Sequence, residues 1–316
     1  MRLATIQSGG RDGRLVKVSR DGRHCADATA IAATLQDAME RWNEVAPRLA
    51  ALAEGTTPLD PAALCAPLPR AWQWLDGSAY RSHADLMDQL FGNTSERTGR
   101  PLMYQGVSDR FYGPTEDVVV PAEDLGIDFE GEFGVIVDAV PMGTTASDAL
   151  QYIRLVVQIN DWSLRALAGV EMKTGFGWVQ AKPPCSMAPF AVTPDELGAQ
   201  WRNGRVCADL EVQWNGVRFG NANGEPMEFG FHQLVAHAAR TRSLVAGTII
   251  GSGTVSNPNF REIGSSCIAE RRAIEIVDDG AARTAFMKYG DRVRMEAHLA
   301  DGSAPFGAID QRVVAS

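Results

Sequence analysis

The stretch GIDFEGEFGVIVD, residues 126 to 138, places Asp128, Glu130 and Glu132 at alternate positions in an otherwise apolar run. Alternate residues of a strand share a face, so three carboxylates point one way. Two further acids close other runs: Asp161 in RLVVQIND and Asp76 in RAWQWLD. A solvated strand face gives the same alternation, but Gly131 and Gly134 thin this strand where another group can approach closely. Clustered carboxylates repel: two charges about 4 Å apart interact by roughly 4 kcal/mol at an effective dielectric of about 20. Such a cluster takes up protons or holds a cation. Oxygen ligands select a hard ion, Mg²⁺, Ca²⁺ or Mn²⁺, over zinc. The spacing alone does not bring the acids together.

The elements that must position them read as mostly β with scattered helices, an α+β pattern without alternating βαβ units. Residues 1–24 alternate β-like runs with Asp12-Gly13 and Asp21-Gly22 turns. Residues 28–53 carry Ile31, Leu35, Met39 and Trp42 at helical spacing. Four prolines between 54 and 70 read as a linker, so residues 1–68 are expected to form a small N-terminal domain and 69–316 a larger one. In the larger part, VVVPAEDLGIDFEGEFGVIVDAV, YIRLVVQIND, ADLEVQWNGVRFGNA, AGTIIGSGTVS, SCIAERRAIEIV and DRVRMEAHLADGSAPFGAI all read as β. Helices are expected near 81–91, 145–152 and 229–243, and hairpin turns at Asn215-Gly216 and Asp301-Gly302.

Composition narrows the function classes. A chain of 316 residues with 45% hydrophobic and 22% charged residues is globular in type. Its net charge of −9 argues against nucleic acid or an anionic membrane as partner. No apolar run is long enough to span a bilayer, and the N-terminus lacks a signal-peptide core, so a cytoplasmic location is expected. The five cysteines form no CxxC pair and read as buried free thiols. Asn93 in NTS reads as a chance match to a glycosylation acceptor. His232 and His237, five apart on an expected helix, make a poor metal pair and read, with His24 and His298, as structural or surface residues. There is no GxGxxG or Walker A sequence, and GSGT at 251–254 lacks the lysine of a phosphate loop.

From about residue 70 onward LDGSAYRSH, PLMYQG, GIDFEGEFGVIV, QINDWSLR, QAKPPCSMAPFAVTPDELG, VQWNG, GSGTVSN, SCIAERRAIE, FMKYGDRVRME and FGAIDQ follow one another as in the fumarylacetoacetate hydrolase family. In order and spacing the chain resembles the bacterial fumarylacetoacetase-like branch, which works in aromatic amino-acid breakdown. The resemblance implies a large mixed β-sandwich or β-roll domain and, as in most family members, a homodimer. It implies one divalent cation held by Asp76, Glu130, Glu132 and Asp161. Lys182 and Arg165 match basic active-site residues, which suits the residual negative charge of four carboxylates around a dication.

The same resemblance pairs His83 with Glu270 as a water-activating dyad. An imidazole titrates near neutral pH and suits a general base, and the glutamate would fix its tautomer. Tyr104 matches a substrate-contacting tyrosine, although a core aromatic gives the same signal. Gly253 and Thr254 match a pair that binds a substrate carboxylate. Two departures stand out. Ala168 replaces a glutamine of the animal enzymes, and their substrate-binding arginine has only Arg97 and Arg100 as candidates here. The implied reaction is hydrolysis of a C–C bond in a β-diketo acid, with fumarylacetoacetate cleaved to fumarate and acetoacetate as the foremost case. Acylpyruvate hydrolysis, oxaloacetate decarboxylation and keto-acid hydration or isomerisation use the same scaffold. A non-enzymatic metal-binding protein would need neither the dyad nor the basic residues.

Overall fold

The computed structural model describes residues 1–91 and 99–316. Arg97 and Asn93 therefore lie outside the described residues. The chain opens with β1 (Arg2–Ile6), β2 (Arg14–Val18) and β3 (His24–Asp27), turned through Gly13 and Gly22 at positive φ. Two helices follow, α1 (Leu35–Glu40) and α2 (Trp42–Ala51). Thr34 starts α1 by accepting the Asp37 N–H on its hydroxyl. The proline-rich stretch expected to be a linker is instead packed. Its β4 (Thr57–Pro58) pairs with β3, Leu64 bridges Ile6, and Leu59, Ala66 and Leu68 are buried. Proline is tolerated here because an outermost strand needs no donor on its free side.

The remainder runs β5 (Trp74–Ser78), α3 (Arg81–Phe91), β6 (Leu102–Gly106), β7 (Val118–Val120), β8 (Ile127–Asp128), β9 (Gly131–Val137), α4 (Ala146–Ala149), β10 (Ile153–Asn160), β11 (Ser163–Leu164) and α5 (Arg165–Met172). It continues with β12 (Ser186–Met187), β13 (Ala191–Val192), β14 (Trp201–Arg202), β15 (Arg205–Val206), β16 (Asp209–Trp214), β17 (Val217–Asn223), α6 (Phe231–Ala238) and β18 (Thr248–Gly251). The last elements are α7 (Phe260–Ile263), α8 (Ile268–Asp279), β19 (Arg292–His298) and β20 (Ala308–Ala315). The segment SCIAERRAIEIV, read as β, is the helix α8. Its Ile268 is buried in the core between the two sheets, and its Ala273 and Ile274 are buried with Leu86 of α3. Asn215 and Gly216 both have positive φ, as a two-residue hairpin between β16 and β17 demands.

The strands form a large sheet in the order β4-β3-β2-β1-β13-β10-β9-β18-β5-β6, with β12 attached to β10, and a second sheet in the order β17-β16-β19-β20-β7. The N-terminal strands are thus continuous with the large sheet through β1 and β13. Phe133, Val135 and Val137 of β9 face the second sheet, packing in one core with Leu210, Val212, Met295 and Ile309. Ile136 belongs to a second core, beneath α1 and α2, with Trp74, Leu155, Val157, Ile159, Met39 and Trp42. Gly131 and Gly134 do thin β9, but a Cβ there would meet Leu210 and Ile159, so the close approach is core packing.

Phe133 is fully buried and its ring lies 6.0 Å from that of Phe306. Phe133→Ala is expected to destabilise the fold by about 3–5 kcal/mol, read as a lower urea midpoint at unchanged slope. Among the described residues no helix is long and apolar enough to cross a membrane.

Candidate active site

Strand parity assembles the acids. Asp76 follows Trp74 by two residues on β5, Asp161 follows Ile159 by two just beyond β10, and Glu132 precedes Gly134 and Ile136 on β9. All three leave the sheet on the face that packs α1 and α2, where the second core ends. Asp76, Glu132 and Asp161 converge with ligand oxygens within 4.8 Å of one another, and all three are buried. Both oxygens of Glu132 are buried without a hydrogen-bond partner among the described residues. Burial and then the Asp161 charge push the Asp76 carboxyl well above its usual range, and burial followed by Asp76 and Asp161 does the same to Glu132. Three oxygen donors this close, one of them orphaned, have the chemistry to bind a hard divalent cation.

Glu130 belongs to the same cluster through a cation. Its Oε2 accepts from Lys182 Nζ at 3.0 Å, and Lys182 also donates to Asp161 Oδ2 at 2.6 Å. Its Oε1 accepts from the Ser163 hydroxyl at 3.0 Å and from Arg165. Burial opposes ionisation of Glu130, but Lys182 and Arg165 outweigh it and hold the carboxyl far below its usual range. Burial also opposes the Lys182 ammonium, and Asp161 with Glu130 overcome it. Of the four expected ligands, three thus form the open triad, and Glu130 sits one lysine away.

Asp128 completes the alternation but does another job. It accepts from Arg165 Nε at 2.8 Å and from the N–H groups of Ile268 and Ala269 at 2.7 and 2.9 Å. Those two amides open α8, so Asp128 supplies the negative charge that a helix start favours. Glu130 forms an isolated bridge with Cys267, the residue that precedes α8, and this sets the helix beside the cluster. Arg165 is therefore tied to Asp128 and Glu130. Asp128→Ala would leave Arg165 and two amides short of a buried partner. It is expected to cost about 3 kcal/mol in a denaturant titration and to reduce activity by displacing α8.

The start of α8 carries Glu270. His83 on α3 places Nδ1 at 2.7 Å from Glu270 Oε2, with Glu270 fully buried and His83 partly open. The two helices meet through Leu86, Ala273 and Ile274, and Ser82 bonds Ser256 at 2.8 Å across the loop after β18. Cys267, bridged to Glu130, lies three residues before Glu270, so α8 carries the dyad beside the acids.

Tyr104, level with Asp76 on neighbouring β6, donates its hydroxyl to Asp161 Oδ2 at 2.8 Å. The Gly253 N–H, expected at a substrate carboxylate, donates to Asp76 Oδ1 at 3.0 Å. Gly253 has φ +74°, and a Cβ there would lie 2.5 Å from the Gly77 carbonyl oxygen, so only glycine fits. Thr254 is buried next to it. Arg100 is exposed. His24 and His298 pair with Asp21 and Glu296, and half-buried His232 lies against Gly204 and Gly230, all apart from the acids. Sequence reasoning missed Ser163 and Cys185. The Cys185 thiol, raised by burial and by Asp161, donates to Asp161 Oδ1 at 2.9 Å. All five cysteines are free.

With this geometry in place, residues 73–314 match the model of the fumarylacetoacetate hydrolase C-terminal domain, and residues 1–70 that of fumarylacetoacetase N-terminal domain 2. The chain belongs to the fumarylacetoacetate hydrolase family. Membership places it in an enzyme superfamily of hydrolase type. A curated relative, 2,4-didehydro-3-deoxy-L-rhamnonate hydrolase of Sphingomonas sp. (strain SKA58), is 27% identical over 157 residues, covering 49% of this chain and 52% of that protein. The chain thus spans about half the length of the curated relatives it matches. Fumarylacetoacetate hydrolase from Exiguobacterium antarcticum superimposes with a TM-score of 0.71 at 20% identity, covering 100% of both chains. Maleylpyruvate hydrolase from Sphingobium sp. SYK-6, solved with manganese(II) and pyruvate, gives 0.67 at 20% identity with the same coverage. At such identities these structures establish the fold, a mixed α/β architecture richer in strand than helix with an N-terminal domain of the family type.

Proposed function

We propose that this family member is a metal-dependent hydrolase that cleaves a C–C bond in a β-diketo acid, with fumarylacetoacetate as the foremost substrate. The observation that carries the reading is the His83–Glu270 pair at 2.7 Å beside a buried carboxylate triad. A decarboxylase or isomerase needs to stabilise an enolate, whereas a hydrolase also needs a base placed for water. Asp76, Glu132 and Asp161, with Glu130 in reserve behind Lys182, are the residues that would hold a divalent cation. When bound, such an ion polarises a substrate carbonyl as a Lewis acid.

The remaining steps belong to the side chains. Glu270 accepts a hydrogen bond from the Nδ1–H of His83, which fixes the tautomer and leaves Nε2 free as a base. His83 removes a proton from water, and the resulting hydroxide adds to the carbonyl carbon. The tetrahedral oxyanion collapses, and the C–C bond breaks with its electron pair leaving as an enolate. Lys182, already between two carboxylates, is the nearest cation to stabilise that charge, while Arg165 holds Glu130 in place. Protonation of the enolate carbon by His83 gives a methyl ketone, and the carboxylic acid is the second product. Acylpyruvate hydrolysis is the second reading, favoured by the full-length likeness to a pyruvate-bound maleylpyruvate hydrolase.

The test is a panel of β-diketo acids followed by loss of enol absorbance, with and without added Mg²⁺ or Mn²⁺. Metal-dependent consumption of fumarylacetoacetate with release of fumarate supports the reading. Isomerisation without release of two acids, or no turnover of any keto acid with metal supplied, overturns it.

A further inference from the structure

One segment next to the acids has no counterpart in the proposed chemistry. Between α5 and Lys182 the chain forms a strap of nine residues without helix or strand, residues 173–181. Its two ends are pinned to each other. The Glu171 carboxylate accepts the N–H groups of Val179 (3.1 Å), Gln180 (2.9 Å) and Ala181 (2.9 Å). Three backbone N–H groups converging on one carboxylate form an anion-holding nest. They hold the Glu171 carboxyl below its ordinary range, so the latch stays charged where an ordinary glutamate would begin to protonate. Gly175 and Gly177 take φ values of +74° and +90°, which a side chain would strain.

The strap carries Trp178 back over the cluster. Its ring meets that of Tyr104 edge to face at a centroid distance of 4.9 Å and an interplanar angle of 80°. Lys182 Nζ, which donates to Glu130 and Asp161, lies 5.5 Å from the Tyr104 ring centroid and 5.8 Å from that of Trp178. Both aromatic polar atoms are already committed: the Tyr104 hydroxyl to Asp161, and Trp178 Nε1 to the Ala168 carbonyl at 3.2 Å. Both side chains are nonetheless only partly buried. What they still offer a ligand is ring surface, which favours planar, unsaturated or aromatic groups over charged ones.

We propose that Trp178, with Tyr104, forms the wall against which the acyl group of the substrate packs, selecting planar unsaturated or aromatic acyl groups over small saturated ones, and that Glu171 is the residue positioning that wall. The inference rests on the diketo-acid reading and deepens it by naming the acyl class. Glu171 acts only through the strap, and Trp178 touches the substrate.

The test compares two probes, benzoylpyruvate with a planar aryl acyl group and acetylpyruvate with a small saturated one. Affinity is measured by calorimetric titration with Mn²⁺ present in a His83→Ala background, and turnover in the otherwise unaltered protein. Trp178→Ala is expected to lower the benzoyl-to-acetyl preference at least about tenfold, read as a higher ratio of Kd values and a lower ratio of kcat/KM values, through Kd and KM rather than kcat. Trp178→Phe, which keeps a ring, restores most of the ratio. Glu171→Ala moves it the same way and flattens the near-ultraviolet circular dichroism of the Tyr104–Trp178 pair, while Glu171→Gln, still an acceptor, moves it less. An unchanged ratio in Trp178→Ala, or an equal loss for both probes, overturns the wall. A wild-type ratio in Glu171→Ala overturns the positioning role. Failure of the unaltered protein to turn over either probe, with the affinity ratio still sensitive to Trp178, would instead sink the hydrolase reading and leave the wall standing.

Discussion

His83→Ala is expected to lower turnover of a β-diketo acid by at least about a hundredfold, the lower range for loss of a general base. The fall should appear in kcat, with KM little changed, because His83 acts on water rather than on the bound acid. The two helices should stay docked through Leu86, Ala273 and Ile274, although the buried Glu270 loses its imidazole partner. Glu270→Gln should give a smaller but clear loss. A glutamine can still meet Nδ1, but it cannot carry the charge that stabilises the imidazolium formed when water is deprotonated. Full activity in His83→Ala would remove the residue from the mechanism and return the site to the enolate-only reactions.

The second large effect concerns Glu132, whose two buried oxygens have no donor among the described residues. Adding Mn²⁺ or Mg²⁺ at about a hundred times its dissociation constant should stabilise the protein by about 2.7 kcal/mol, a rise of several degrees in Tm. In Glu132→Gln that metal-dependent rise should vanish. In the presence of a chelator, however, the variant should melt no lower than the unaltered protein, because it removes a carboxyl whose ionisation burial, Asp76 and Asp161 oppose. The crossing of the two orders, with and without metal, distinguishes a ligand from a merely structural acid. A metal-induced shift of equal size in both proteins would contradict the role given to Glu132.

How far the sequence carries this site depends on which residues are considered. The alternation of Asp128, Glu130 and Glu132 was legible because a strand has period two, and that parity holds in the fold despite the break between β8 and β9. It could not rank the three. Ranking needed the partners: two amides and Arg165 for Asp128, Lys182 for Glu130, and none for Glu132. The His83–Glu270 pair was reachable only through family resemblance, since 187 residues separate its members.

The helix α8 was misread for a local reason. AIEIV alternates like a strand, and Cys267, an unusual residue before a helix, hides the start. Helix α5 buries none of its residues, so it leaves no apolar stripe to read. The proline-rich stretch at 54–70 looked like a spacer because its prolines are conspicuous and its few buried leucines are not. Ser163 and Cys185 gave no signal at all, because their roles arise only when β11 and the stretch before β12 fold against β10.

The latch formed by Glu171 closes a short loop on itself, so the chain leaves α5 and reaches Lys182 through almost the same point. Between these anchors the residues carry none of the large sheet's hydrogen bonds, and Phe176 at the tip is 97% exposed. Such a closure costs little more when lengthened. The strap is therefore an exchangeable cassette: its length and sequence can change without disturbing the acids, the dyad or the strands that carry them. One scaffold could in this way acquire a different diet by revising a single surface loop.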